Sequence, residues 1–238
     1  MKKIAIIGAS GHGKVVADIA RLNQYEEIVF LDDNPDIVEC GTYKVDGTSR
    51  EFRKYANRGY DLIVAIGDAK IRQHIQEEIQ GDGLCCTTLI HPSAVIAENV
   101  EIGSGSVVMA NAVINPSSKI GKGCIINTCA SVDHDNQIAD FVHVSVGAHL
   151  AGSVRVGERT WIGIGAVVSN NVEIYGDCMI GAGGVVVKDI LDAGTYIGVP
   201  VKMQKVAKMK NCQKIRGGGG LLESNNLNGN PSGIWRVA

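Results

Sequence analysis

The sequence predicts a short parallel α/β domain followed by a coiled β-solenoid, and three observations predict it. From Ile90 to Val186 every sixth residue is Ile, Val or Leu, at all seventeen positions without a break. Before residue 85, strand-length apolar runs alternate with segments of helical apolar spacing. A glycine-rich loop, Gly8-Ala9-Ser10-Gly11-His12-Gly13-Lys14, joins the first of those strands to the first helix.

Taken in order, Lys3–Ile7 reads as a buried strand, and Val15, Val16, Ile19 and Leu22 give Lys14–Leu22 one apolar helical face. Glu27–Leu31 and Asp61–Ile66 are two further strands, and Lys70–Gln80 is a helix that ends at Gly81-Asp82-Gly83. Strands alternating with helices predict a βαβαβ unit with a parallel sheet over residues 1–85, about half of a doubly wound, Rossmann-like domain. Glycines at a strand-to-helix turn let phosphate oxygens approach the free N–H groups of the helix start. Asp32 and Asp33 end the second strand some twenty residues later, where a carboxylate reaches a ribose hydroxyl or a base N–H. The glycine order is GxxGxG rather than GxGxxG, and no second half follows to hold a nicotinamide. A nucleotide-sugar is therefore the expected ligand.

A six-residue period fits neither a 3.6-residue helix nor a two-faced strand, but it fits strand and turn wound around a three-sided prism. Residues 86–203 form this part. Three hexads make one coil, so residues eighteen apart stack at the ordinary strand spacing of about 4.8 Å, giving five or so coils. Small residues such as Gly103-Ser104-Gly105 and Ser169-Asn170-Asn171 crowd the turns. A narrow prism has little room for rings, and the 238 residues include only three Phe and two Trp. After Val186 the pattern stops. Gly198–Lys202 reads as a turn, Val201–Lys210 as a short Lys-rich amphipathic helix, and 204–238, with four consecutive glycines from Gly217, as a flexible extension.

The net charge of −2 argues against a nucleic-acid or anionic-membrane binder, whose affinity comes from a basic surface. No apolar run approaches the roughly 20 residues of a membrane span, and the start, broken by Gly8, does not read as a secretory signal. A cytoplasmic location is expected. Seven Cys with no CxxC pair read as reduced thiols packed as small apolar groups.

Four of the six His fall in the repeat: His91, His134, His143 and His149. His134 lies two places after Val132 and Gly152 two places after Leu150, so they are one coil apart on one edge. An imidazole neutral near pH 7 suits a general base, and a Gly on the adjacent coil offers an unobstructed N–H to a developing oxyanion. Asp135 is placed to orient His134 and raise its basicity. His91, before Pro92, and His149 read as solvated turn residues.

With Gly8–Gly13, Phe30-Leu31-Asp32-Asp33, Ala65-Ile66-Gly67, Asn127-Thr128, His134-Asp135, Phe141–Ala148, Ala151-Gly152 and Gly198-Val199-Pro200, residues 3–203 resemble the sugar O-/N-acyltransferase family. That family includes NeuD-like sialic acid O-acetyltransferases and PglD-type N-acetyltransferases of UDP-linked 4-amino sugars. The resemblance implies a left-handed β-helix, a hand opposite to the usual crossover, and acetyl-CoA as co-substrate without a metal. It implies direct N-acetylation of a nucleotide-linked amino-deoxy sugar in a homotrimer with sites between subunits. By motif it makes His134 the base, supported by Asp135, and turns His143 and the Gly152 backbone toward the thioester and pantetheine arm. Ile164 and Ala182 would line the coenzyme groove, and Ser10, Gly11, His12, Asp32, Asp33 and Gly67 would hold the nucleotide-sugar. The PglD-type enzyme of this family has Glu at the Asp135 position, and relatives commonly have Ala at Val201. Three alternatives stand beside this reading: an O-acetyltransferase of sialic acid or another sugar, a three-His zinc enzyme of γ-carbonic-anhydrase type, and a non-catalytic nucleotide-binding scaffold. Against the zinc reading, its expected His pair is five apart, whereas His143 and His149 are six apart.

Overall fold

Ile4 to Ile7 are shielded on both faces, as a run of consecutive aliphatics requires of a central parallel strand. In the computed structural model, which describes residues 1–204, Lys2–Ile7 (β1) sits between Tyr25–Leu31 (β2) and the later strand Asp61–Val64 in a three-stranded parallel sheet. Helix α1 (Gly11–Leu22) follows β1 and begins within the glycine-rich stretch, three residues before the expected Lys14, with the Lys14 N–H donating to Ser10 O at 3.0 Å. A two-stranded hairpin of Glu39–Cys40 (β3) and Tyr43–Lys44 (β4) and the short helix Phe52–Ala56 (α2) lead to Asp61–Val64 (β5), and helix α3 (Ala69–Gly81) follows. The Asp68 carboxylate caps α3 by accepting the N–H groups of Lys70 and Ile71, both at 2.9 Å.

From Leu89 the chain winds through two-residue strands, each pairing in parallel with the strand eighteen residues on, as in Val132 to Leu150 and Ile126 to Val144. Three faces result. Face I carries Leu89–Ile90, Val107–Val108, Ile125–Ile126, His143–Val144, Trp161–Ile162 and Cys178–Ile180; face II runs from Val95–Ile96 to Val185–Val186; face III runs from Glu101–Ile102 to Glu173–Ile174. The second residue of each pair points inward, and the residue two places before it is a second, smaller inward position, such as Ala112, Ala130, Ala148 or Ala166. Together they form one continuous core, in which truncating an Ile to Ala costs about 2–5 kcal/mol. Faces I and II each carry six strands of the regular run and face III five, so the seventeen hexads wind just under six coils. Most turns place one residue in the left-handed region; down the edge between faces II and III these are Asn99, Ser117, Asp135, Ser153 and Asn171.

The first residues of the strand pairs point outward and decide what covers the prism. On face III they are Glu101, Lys119, Gln137, Arg155 and Glu173, all exposed. On face I, Leu89, Val107 and Ile125 are buried in one cluster with Val16, Ala17 and Ala20 of α1. The α/β part therefore packs on face I. Helix α3 lies along the edge between faces III and I, where Gln76 Nε2 donates to Ser104 O at 2.9 Å. Gly105 and Gly123 hold positive φ on that edge, and a side chain there would overlap Gln76 or the Phe141 ring.

Beyond Val186, Gly194–Ile197 extends face I in parallel with Cys178–Ile180. Lys202–Met203 then folds back antiparallel onto it, so the amphipathic helix expected from Val201 does not begin there. The rest of that segment and the extension that follows lie outside the described residues, as does Cys212. Cys40, Cys86, Cys124 and Cys178 are buried free thiols, as expected of apolar packing, whereas Cys85 and Cys129 are exposed. No helix among the described residues is long and apolar enough to cross a membrane.

Candidate active site

His134 and Gly152 are brought together on the edge between faces II and III. The imidazole lies directly over Gly152: a Cβ there would stand 2.5 Å from His134 Nε2. Asp135, at φ 57°, turns its carboxylate back so that Oδ2 accepts the Nδ1–H of His134 at 2.8 Å. With Nδ1 so engaged, the bare lone pair is on Nε2. The hydrogen bond to Asp135 raises the His134 pKa above its usual value, an effect that burial opposes only weakly, since the side chain is 57% exposed. The Gly152 carbonyl accepts the Asn171 N–H and the Ser153 N–H donates to His134 O, so the coils on either side fix the Gly152 backbone.

Asn136 is a residue to which motif reading gave no role. It occupies the small inward position, fully buried, and donates from Nδ2 to Asp133 O at 2.6 Å and Ala151 O at 2.9 Å while Oδ1 accepts the Val154 N–H. This amide ties the His134 turn to the Gly152 turn. The signal was an Asn at a position that otherwise holds Ala, Ser, Thr, Cys, Val or Gly. Asp133 adds to the order by accepting the His134 N–H and the Asn115 amide, both at 2.8 Å. A depression of about 330 Å³ lined by Asn115, Ser131, Asp133, His149, Ala151 and Val167 opens beside this edge on face II. A cleft of about 420 Å³ on face III holds none of the histidines, and no chemistry is assigned to it.

His143 departs from the expectation of a residue open to the pantetheine arm. It lies on face I, only 7% exposed, with its ring 4.5 Å from that of Trp161 and Nε2 3.0 Å from Asn127 Nδ2. Burial, with the nearby Arg72 charge and then His12, pushes its pKa down to about 3. Burial followed by the Arg72 charge lowers His12 to about 4. Both imidazoles are neutral at pH 7. His12 Nε2 and His143 Nδ1 are buried without a partner among the described residues. His149 is exposed on face II, its Nδ1 2.8 Å from Ser131 Oγ, so His134, His143 and His149 share no site within the chain.

Ile164 and Ala182 stack on a different edge, between faces I and II, and Ile164 is 59% exposed beside exposed Val146. On the α/β side, Ser10 and Gly11 are exposed at the start of α1, and Gly67 is half-buried after β5. The acidic pair is more occupied than expected. Asp32 Oδ2 accepts the Ala9 N–H at 2.7 Å and Oδ1 the Asn34 N–H at 2.9 Å, while Asp33 accepts the N–H and hydroxyl of Ser49, both at 2.8 Å. Asp32 thus shapes the glycine loop, and Asp33 holds the segment before α2.

Comparison with known proteins agrees with both halves. The PglD N-terminal domain family matches residues 3–79. The acetyltransferase domain of PglB from Neisseria gonorrhoeae FA1090 is 42% identical, with a TM-score of 0.82, and the match covers 86% of this chain and 100% of that one. The chain belongs to the PglD-type sugar acetyltransferase family. The same PglB domain has been solved in complex with acetyl coenzyme A. Perosamine N-acetyltransferase from Caulobacter crescentus, solved with CoA and GDP-perosamine, is 37% identical over 87% of this chain and 98% of that chain, with a TM-score of 0.82. UDP-N-acetylbacillosamine N-acetyltransferase of Bacillus subtilis (strain 168) is 35% identical over 113 residues, an alignment spanning 46% of this chain and about half, 52%, of that protein.

Proposed function

We propose that this chain transfers the acetyl group of acetyl-CoA to the amino group of a nucleotide-linked amino-deoxy sugar, with His134 as general base. The observation that carries the reading is the His134–Asp135 pair seated over the Gly152 backbone. His134 Nε2 takes a proton from the amine as its nitrogen attacks the thioester carbonyl. The Gly152 N–H donates to the tetrahedral oxyanion, a stabilisation typically worth about 10²–10³ in rate. Collapse breaks the C–S bond, and the imidazolium returns its proton to the departing thiolate. No acyl-enzyme is needed. The relatives solved with coenzyme and nucleotide-sugar support this substrate pair.

The glycine loop and His12 lie against face I, whereas His134 lies on the opposite edge of the prism, between faces II and III. One chain therefore does not bring its own sugar-binding loop to its own base, and we place the reaction between neighbouring prisms of a homotrimer, with Ile164 and Ala182 of one chain lining the coenzyme groove. The exposed Val95 and Val167 on face II favour contact with a second copy. A cytoplasmic location fits the substrates. Thiol release from acetyl-CoA against a panel of UDP-, GDP- and dTDP-linked 4-amino sugars, with sialic acid as hydroxyl acceptor, tests the reading. Turnover with an amino sugar nucleotide is expected; turnover with sialic acid alone would replace it with O-acetylation.

A further inference from the structure

We propose that Arg72 is a positioning residue for the transfer, a buried guanidinium that locks the nucleotide-side loop at Ile66-Gly67 to the prism coil carrying His143. The proposal rests on the reading above and adds to it a residue outside every motif that identified the family here. Arg72 projects from the first turn of α3 and is 1% exposed. Its Nη1 donates to Ile66 O at 2.7 Å and Gly67 O at 2.9 Å, on the loop that follows β5. Its Nε donates to Gly123 O at 2.7 Å, and Nη2 to Phe141 O at 2.8 Å, on the prism. Four of the five N–H groups of the fork are thus used, on two segments far apart in sequence, and Phe141 is two residues before His143.

No carboxylate forms an ion pair with this cation among the described residues; Asp68 and the Cys124 thiol are the groups whose fields act on it. Burial pulls its pKa to about 10, so it remains charged at neutral pH. A buried cation held only by carbonyls is poor economy for stability, but a rigid planar fork can hold four carbonyls in fixed relation where a flexible ammonium cannot. The groups facing the cluster are Arg72 from α3, His12 from the start of α1, and His143, Asn127 and Trp161 from the prism. The Arg72 charge helps to keep both imidazoles neutral.

The test compares Arg72→Met and Arg72→Lys with the wild-type enzyme. Steady-state transfer is measured with acetyl-CoA and the amino sugar nucleotide varied separately, and UDP, GDP and acetyl-CoA binding are measured by calorimetry. For Arg72→Met, the KM for the sugar nucleotide should rise roughly tenfold or more, as a misplaced substrate loop requires, with acetyl-CoA affinity within about twofold. A residue needed only for folding would lower the active fraction, and so kcat, without moving KM. Arg72→Lys, which keeps the charge but not the fork, should fall between the two. An unchanged sugar-nucleotide KM in either variant, or equal changes toward both substrates, would overturn the proposal. If Arg72→Met does not fold, Arg72→Lys decides alone. If the wild-type enzyme acetylates no sugar nucleotide, the proposed function fails, while weakened UDP or GDP binding in the variants still reports on the positioning role.

Discussion

Replacing Gly152 by alanine isolates the placement of the base. The backbone N–H survives, φ at 152 is ordinary for an L-residue, and the added methyl would stand 2.5 Å from His134 Nε2 and 2.6 Å from Cε1. Ordinary contact needs about 3.5 Å, so the imidazole must retreat by about 1 Å. A displacement of that size costs about 10²-fold in rate, equivalent to roughly 2.7 kcal/mol of transition-state stabilisation. The ring can yield because its side chain is 57% exposed, so stability should change by no more than about 0.5 kcal/mol. The assay is kcat/KM by thiol release, with a thermal melt on the same sample. A hundredfold loss with a melting temperature within about 2 °C of wild type supports the placement. Wild-type turnover in Gly152→Ala would refute it, since a base working from this position cannot be pushed aside without effect.

Asp135→Asn removes the charge that holds His134 above its usual pKa. In the wild type the base is lost as pH falls through this raised pKa; without the carboxylate the imidazole protonates at lower pH. The acidic limb of the kcat/KM profile should therefore move to lower pH, and a limb that stays in place would remove Asp135 from its role. Gly123→Ala should destabilise the docked unit by about 1–3 kcal/mol, because φ is +61° and the new methyl would overlap the Phe141 ring. A melting temperature lower by roughly 3–8 °C is expected, and an unchanged one would contradict the docking of α3 on that edge.

The prism was legible because the larger inward position of each strand pair tolerates no exception: a polar residue at Val132 or Leu150 would face a core with no water, so the period appears directly in the sequence. The pairing of His134 with Gly152 follows from the same arithmetic. The expected strands and helices of the first 85 residues emerged with ends shifted by one to three residues, since caps such as Asp68 and the loop before α1 set the boundaries rather than apolar spacing, while the hairpin β3–β4 and helix α2 were not expected. What covers the prism was hidden for a different reason. The hexad period fixes stacking within the coil, but it does not say where another part of the chain docks. The outward ladders carried that signal: apolar Leu89, Val107 and Ile125 on face I against charged Glu101, Lys119 and Glu173 on face III. His143 lies on that covered face I, buried beside Trp161 and Asn127. Arg72 was illegible because its partners, 51 and 69 residues away, are backbone carbonyls, which leave no mark in the sequence.

The most direct measurement is turnover of His134→Ala together with its acetyl-CoA affinity. A loss of roughly 10²–10⁴ in kcat with unchanged coenzyme binding is the predicted result. A variant that acetylates the amino sugar nucleotide at the wild-type rate would contradict the assignment of the base.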